Sequence, residues 1–284
     1  PIAGLGAGSR FYGSIPSDEE AAELVRQTID RGLELVETSA NYGPEGISEK
    51  RIGLAMKTHR DRVFLETKVD ERSYDGAMRE MERSMERLNT DRLDLVLHHF
   101  LRDAAMIEEV ASSNGAERAI RQMVDEGVVR FRGYSTHLPS TALEGLDRLE
   151  PDAVQVPLNA VRVPDFEPDF LPAAEARGVA VLAMKTCGNG FFFPANATTP
   201  DRIEEFGPPE GTWDRWDLPT WTDYLHYVWS LPVAAAVIGI DSYFTLDGIV
   251  AAASSFEPLA QERVASIHER ASVFKTTGYW IPRE

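Results

Sequence analysis

Residues 33–43 read LELVETSANYG, and the first five have the length and apolar character of a buried strand. The strand ends on a carboxylate, Glu37, and a phenol follows five residues later at Tyr42. A loop that needed only solubility would not use a tyrosine, so the pair asks to be read together. The same layout recurs downstream. VFLETKV (63–69) brings Lys68 to its end, and LDLVLHH (93–99) ends on His98 and His99. Four more apolar runs follow: VVRFRGYS (128–135), DAVQV (152–156), GVAVLAMK (178–185) and AAAVIGI (234–240).

Amphipathic helical patterns separate these runs. Ser17-Asp18-Glu19-Glu20 is a capping box that opens a helix to about Asp30. Met78, Met81, Met85 and Leu88 repeat near 3.6 residues within 73–88, and 115–127 and 258–271 read likewise. Strand and helix in alternation predict a parallel sheet with helical crossovers. Polar residues follow successive strands along the whole chain rather than one switch point, which favours a closed (β/α)8 barrel, the TIM-barrel architecture, over an open doubly wound sheet. GLGAG (4–8) lacks a helix directly after it, so it reads as a turn or short N-terminal β-hairpin rather than a dinucleotide fingerprint. One domain over 1–284 is expected. Its rhythm breaks only at 186–222, a long Trp-rich loop after the sixth of these strands.

Composition limits the function. Twenty-nine basic against 46 acidic residues give a formal charge of −17, which argues against nucleic acid and anionic membrane surfaces as partners. The lone cysteine, Cys187, permits no intrachain disulfide or cysteine-based metal cluster. No apolar stretch approaches the ~20 residues of a membrane helix. The chain starts at Pro1 without a signal-like segment, so the cytoplasm is the expected compartment, although a removed export signal would leave no trace. Asn196-Ala197-Thr198 is a glycosylation triplet of the kind that arises by chance.

In a parallel barrel the strand ends converge on one face. Glu37, Tyr42, Lys68 and a histidine would then share one pocket mouth. A phenol is a poor acid at neutral pH. An ammonium beside it favours the phenolate, and a carboxylate holds that ammonium charged. A histidine could orient a carbonyl oxygen about to be protonated. The set suits carbonyl/alcohol interconversion, and redox chemistry would require a nicotinamide. Each residue alone reads equally as ordinary packing: Lys68 as a stem with Glu37 as its ion partner, Tyr42 as a packed aromatic. Their order on three successive strands is what points to chemistry.

ETSANYGPEGISEKRIGLAMK, VFLETKV, LDLVLHHF and GYSTH together resemble the aldo-keto reductase superfamily, over about Pro1 to Ser255. The resemblance implies an NAD(P)H-dependent aldo-keto reductase, with NADP or NAD as cofactor and an aldehyde, ketone or sugar as substrate. It makes Tyr42 the general acid, Lys68 its partner, Glu37 the carboxylate on that lysine, and His99 the carbonyl-orienting group. Asp94, five residues earlier, selects His99 over His98. It also implies that Ser135, Thr136 and Gln155 hold the nicotinamide carboxamide and that Met184, followed by Lys185, lies under the ring. Gly239, Asp241 and Ser242 fall at the adenosine end. Two residues depart from the family pattern: Glu37 replaces the usual Asp, and Thr136 an Asn. Asp241 and Asp247 stand where NADP-binding members place basic residues, with Lys185 or Arg132 as possible offsets. Phe11, Phe100 and Trp213, with Tyr12 and Trp280, would suit an apolar carbonyl or a sugar face.

Two other functions fit the same residues. One is proton transfer without redox, as in an epimerase, dehydratase or lyase. The other is a regulatory barrel that senses a nicotinamide and binds a partner protein. A metal hydrolase fits less well, because His137 and His226 lack ligand partners in sequence. Oligomeric state and substrate identity are not written in the sequence.

Overall fold

The computed structural model describes residues 3–4 as backbone and residues 17–160, 166–187 and 217–272 in full. Eight parallel strands lie in chain order in one sheet: β1 Ala3–Gly4, β2 Leu35–Glu37, β3 Phe64–Val69, β4 Leu93–His98, β5 Val129–Ser135, β6 Ala153–Pro157, β7 Ala180–Met184 and β8 Ala235–Ala236. The helices around it are α1 Asp18–Asp30, α2 Ile47–His59, α3 Tyr74–Leu88, α4 Ala104–Ala111, α5 Ala116–Asp125, α6 Pro139–Leu149, α7 Phe170–Ala176, α8 Trp221–Trp229, α9 Tyr243–Ser254 and α10 Gln261–Ala271.

Inside the curl, Leu35 of β2 shares an apolar cluster with Val237, just after β8, and with Ala235 and Phe64. The second strand and the end of the last therefore meet across the interior, as a barrel requires. Leu95, Leu97, Ala153 and Leu182 fill the rest of that interior with Phe64 and Phe131. The larger core lies between strands and helices, where Leu65, Val96, Ile120, Val154 and Leu146 are buried. Each such side chain contributes roughly 1.5–3 kcal/mol.

Ala3–Gly4 pairs in parallel with Val36–Glu37. The N-terminal segment is thus the first barrel strand, and the turn or hairpin expected over 4–8 falls mainly outside the described residues. Two residues are too few to show a period, which is why the strand escaped the pattern. Counting it, the long loop follows the seventh strand. Its end is helical rather than irregular: Thr220 and Asp223 form a capping box that starts α8 at Trp221. Residues 188–216, with Trp213, lie outside the described residues, as do Phe11, Tyr12 and Trp280. Among the described residues no helix is long and apolar enough to cross a membrane, and no group of acidic, His or Cys side chains could hold a metal.

Candidate active site

Strand alternation places the site residues. On β3, Phe64 belongs to the interior cluster, so Glu66 and Lys68 share its inward face, while Leu65 and Thr67 face the helices. Glu37 is the register partner of Glu66 on β2 and points inward with it. Thr67 on the outer face donates to buried Glu49 of α2 at 2.7 Å, and Arg87 reaches the same carboxylate at 3.3 Å. A Cβ on Gly53 would lie 2.0 Å from the Arg87 carbonyl oxygen, so glycine is what lets α2 approach α3. These contacts clamp the strand that carries Lys68.

The loop after β2 is equally fixed. The Tyr42 N–H donates to the Ser39 carbonyl at 3.1 Å, and the Tyr42 carbonyl accepts from the Ser48 N–H at 3.2 Å. Gly43 then takes a positive φ of 78° ahead of Pro44, a conformation suited to glycine. The ring consequently turns inward. Tyr42 is half-buried as a whole, but its hydroxyl end is enclosed and donates to Glu37 Oε1 at 3.0 Å. Lys68, 1% exposed, places its ammonium on the same Oε1 and on the Thr38 carbonyl at 2.9 Å. It sits 5.1 Å from the Tyr42 ring centroid and 3.3 Å from Glu66 Oε1.

This arrangement sets the charge states. Burial pushes the Tyr42 phenol above its ordinary pKa, and Glu37 adds to that; Lys68 opposes both. The ammonium expected to lower the phenol pKa is therefore outweighed in this arrangement. Burial works against the Lys68 ammonium, yet Glu37, Tyr42 and Glu66 outweigh it and hold its pKa above the usual value. Burial pushes Glu66 up to about 7; Lys68 counters this and Glu37 reinforces it.

The two histidines part company at the end of β4. His98 is fully buried on the helix side, with Nε2 on Glu117 of α5 at 2.9 Å. Burial alone would raise the Glu117 carboxyl, but His98, Arg132 and Arg121 hold it below the usual range. His99 lies on the mouth side. Its Nδ1 contacts Asp70 at 3.1 Å and Ser39 Oγ at 3.4 Å, and its ring meets Tyr42 edge-on at 5.8 Å. Phe100 is in contact with His99 and stacks on His137 at 4.9 Å, at the same mouth. Asp94 instead accepts from Arg60 and from the Leu65 N–H at 2.9 Å, stapling β3 to β4 away from the site.

Ser135 and Gln155 are register partners on β5 and β6. Ser135 Oγ donates to the His98 carbonyl, and the Thr136 N–H donates to the Gln155 carbonyl at 3.1 Å. The Gln155 amide is 1% exposed, and among the described residues neither its oxygen nor its nitrogen has a partner. A buried orphan amide that offers both a donor and an acceptor fits a carboxamide. Met184 ends β7, half-buried, and Lys185 follows with a positive φ of 56°. Ser242 caps α9, and Asp241 accepts from Ser242 and from Thr245 at 2.8 Å, which ties its carboxylate into the cap. Gly239 lies three residues before that cap, half-buried.

Two expectations for the adenosine end change. Asp247 is paired with Arg31 and is no free acid there, and Arg132 is held by Glu117 and the Leu149 and Glu150 carbonyls on the helix side. Arg132 therefore cannot offset an acidic cofactor end. Three polar contributors escaped the sequence reading: Glu66, Asp70 and the Thr38 carbonyl. Strand parity could have found Glu66, which lies two residues before Lys68.

The strand ends of the barrel thus bring together an inward Tyr–Lys–Glu set, a histidine over it and a buried amide two strands on. The family model described as the aldo/keto reductase family matches residues 4–269, and the chain belongs to that family. It is 31% identical over 186 residues to methylglyoxal reductase YeaE of Escherichia coli, covering 63% of this chain and 62% of that protein. It is 29% identical over 201 residues to aldo-keto reductase YhdN of Bacillus subtilis, covering 63% and 56%. The matched part thus spans less than two thirds of either relative. Among solved structures, the holo form of an aldo-keto reductase from Bacillus halodurans aligns with a TM-score of 0.74 at 20% identity, covering 94% of this chain and 90% of that one. An aldo-keto reductase from Klebsiella pneumoniae in complex with NADP and acetate aligns at 0.72 and 23%, covering 100% and 93%. They share the barrel fold.

Proposed function

We propose that the protein is an NAD(P)H-dependent oxidoreductase that interconverts a small carbonyl compound and an alcohol. The observation that carries this is the enclosed Tyr42 hydroxyl, joined through one carboxylate oxygen to the Lys68 ammonium. When bound, a nicotinamide supplies the hydride. Ser135, Thr136 and Gln155 would hold its carboxamide, Met184 and Lys185 would border its ring, and Gly239, Asp241 and Ser242 would meet its adenosine end. NADP is favoured by the barrel complexed with it, and NAD by the tied carboxylate of Asp241.

The chain's own residues move the proton. As the carbonyl oxygen gains negative charge, Tyr42 Oη gives it the phenol proton, and Lys68 stabilises the phenolate that remains. His99, oriented by Asp70, points the carbonyl oxygen toward Tyr42. The reverse reaction returns the proton to Tyr42. The substrate is a small aldehyde or ketone, in line with the methylglyoxal reductase among its relatives, and Phe100 lies against it at the mouth.

A parallel titration with NADPH and NADH, read by tryptophan quenching and calorimetry, tests this reading. Micromolar binding of either supports it, and absence of binding at millimolar concentration sinks it. Proton transfer without redox is the second reading, favoured by the Tyr42–Glu37 hydrogen bond. It expects solvent isotope exchange into a carbonyl compound with no cofactor present.

A further inference from the structure

Among the described residues, the barrel interior holds an acid, Glu66, to which the mechanism gives no role. Glu66 is 0% exposed, and among the described residues neither carboxylate oxygen has a well-aligned hydrogen-bond partner. Its ladder neighbour on β4 is Leu95, part of the apolar interior cluster. Glu37 of β2 is its register partner, and Lys68 of β3 places its ammonium 3.3 Å from Oε1. With Tyr42 from the loop after β2, these are the titratable groups that act on Glu66 or feel its charge among the described residues. One ammonium is therefore shared by two buried carboxylates, in a place too dry for both to stay charged without cost.

We propose that Glu66 is a positioning residue whose proton uptake leaves Lys68 to Glu37 and Tyr42 alone, and so makes Tyr42 the stronger acid. The inference rests on the reductase reading of Tyr42 and Lys68. When Glu66 is ionised, two carboxylates oppose the charge that Tyr42 must take up on giving away its proton. When Glu66 is neutral, only Glu37 does, and the ammonium supports the phenolate more fully. No bond is made or broken at Glu66 beyond its own O–H. Burial of this carboxyl, which pushes it up to about 7, places the change where the enzyme would work.

The test uses the full chain labelled with 3-fluorotyrosine, with Tyr42→Phe assigning the Tyr42 fluorine signal. In the wild type that signal should shift with an inflection near pH 7, and Glu66→Gln should remove the inflection while Glu66→Asp retains one. In parallel, carbonyl-reduction kcat should fall about tenfold from roughly pH 5.5 to 8.5 in the wild type and stay level in Glu66→Gln. A wild-type Tyr42 signal without an inflection overturns the proposal, even if Glu66→Gln does not fold. A Gln variant that keeps the wild-type pH profile, or loses turnover equally at every pH, also overturns it by reducing Glu66 to structure. The fluorine titration needs no turnover. A wild type that reduces nothing with either nicotinamide, yet shows the Glu66-dependent inflection, defeats the reductase reading and leaves the Glu66–Tyr42 coupling standing.

Discussion

Tyr42 Oη donates to Glu37 Oε1 at 3.0 Å, the same oxygen that takes the Lys68 ammonium. The usual family residue at this position is aspartate, one methylene shorter. The extra reach lets the carboxylate touch the phenol as well as the lysine. A phenol that donates to a carboxylate is a weaker acid than one facing the ammonium alone, and its O–H must turn away from Glu37 before it can serve a substrate.

Glu37→Asp should therefore withdraw the carboxylate from Tyr42 while leaving it within reach of Lys68. Reductive kcat at neutral pH is expected to rise severalfold, with the cofactor Kd unchanged. Steady-state kinetics alongside a binding titration check this, and a fall in kcat would show that the Tyr42–Glu37 bond itself is needed.

Tyr42→Phe removes the proton donor and leaves the ring that meets His99. Reduction should slow by about 10²–10⁴, while nicotinamide affinity stays within about twofold, because the residues proposed to hold the cofactor lie on or after β5 to β8. Single-turnover measurements separate the two effects. Equal losses in binding and rate would assign Tyr42 to the cofactor site instead.

Lys68→Met leaves Glu37 and Glu66 buried without their shared cation. Breaking a buried pair by removing one partner costs about 3–5 kcal/mol. The loss should be larger near pH 8 than near pH 6, since proton uptake by the carboxylates relieves it at the lower pH. Thermal unfolding at both values tests the sign, and a pH-independent loss would count against two charged acids in this interior.

Much of this site was legible because strand ends in a parallel barrel face one way. Glu37, Lys68 and a histidine can be grouped from three apolar runs without any contact being known, and Tyr42 follows from its place after the first. What stayed hidden needed a face or a partner. Glu66 reads as one polar residue in a strand until Phe64 is seen inside the barrel, when parity turns it and Lys68 inward together. His98 and His99 are adjacent in sequence and the strand pattern alone does not separate them; the resemblance selects His99, and Glu117 on one side and Asp70 on the other show the two histidines facing apart. Arg132 and Asp247 look like cofactor-end charges in the sequence, which does not reveal that Glu117 and Arg31 already hold them. The two-residue strand at Ala3–Gly4 carries too few residues for a period to show.

Gln155→Leu should move stability and binding in opposite directions. Among the described residues the buried amide has no partner on either atom, so replacing it by an apolar group of similar size should stabilise the free chain by about 1 kcal/mol. If the amide waits for a carboxamide, the same change should weaken nicotinamide binding about tenfold or more. Melting curves with and without cofactor give both readings. A destabilised free chain would mean that the amide is satisfied in solution.

Glu66 should leave its mark on stability as well as on rate. Its carboxyl is raised in the folded chain from an ordinary 4.5 to about 7. Between those values the folded state binds a proton that the unfolded state has released, so stability falls as pH rises. The contribution of this group is fully present below about pH 4.5 and lost as pH passes through about 7. Many other acids titrate in a chain with a formal charge of −17, but they are common to wild type and Glu66→Gln. The difference in Tm between the two chains isolates the one carboxyl. The variant should gain on the wild type from about pH 5 to pH 7 and level off by about pH 8. A difference that does not change over that range would mean that Glu66 stays ionised beside Lys68 throughout, and the ammonium would then be shared at every working pH.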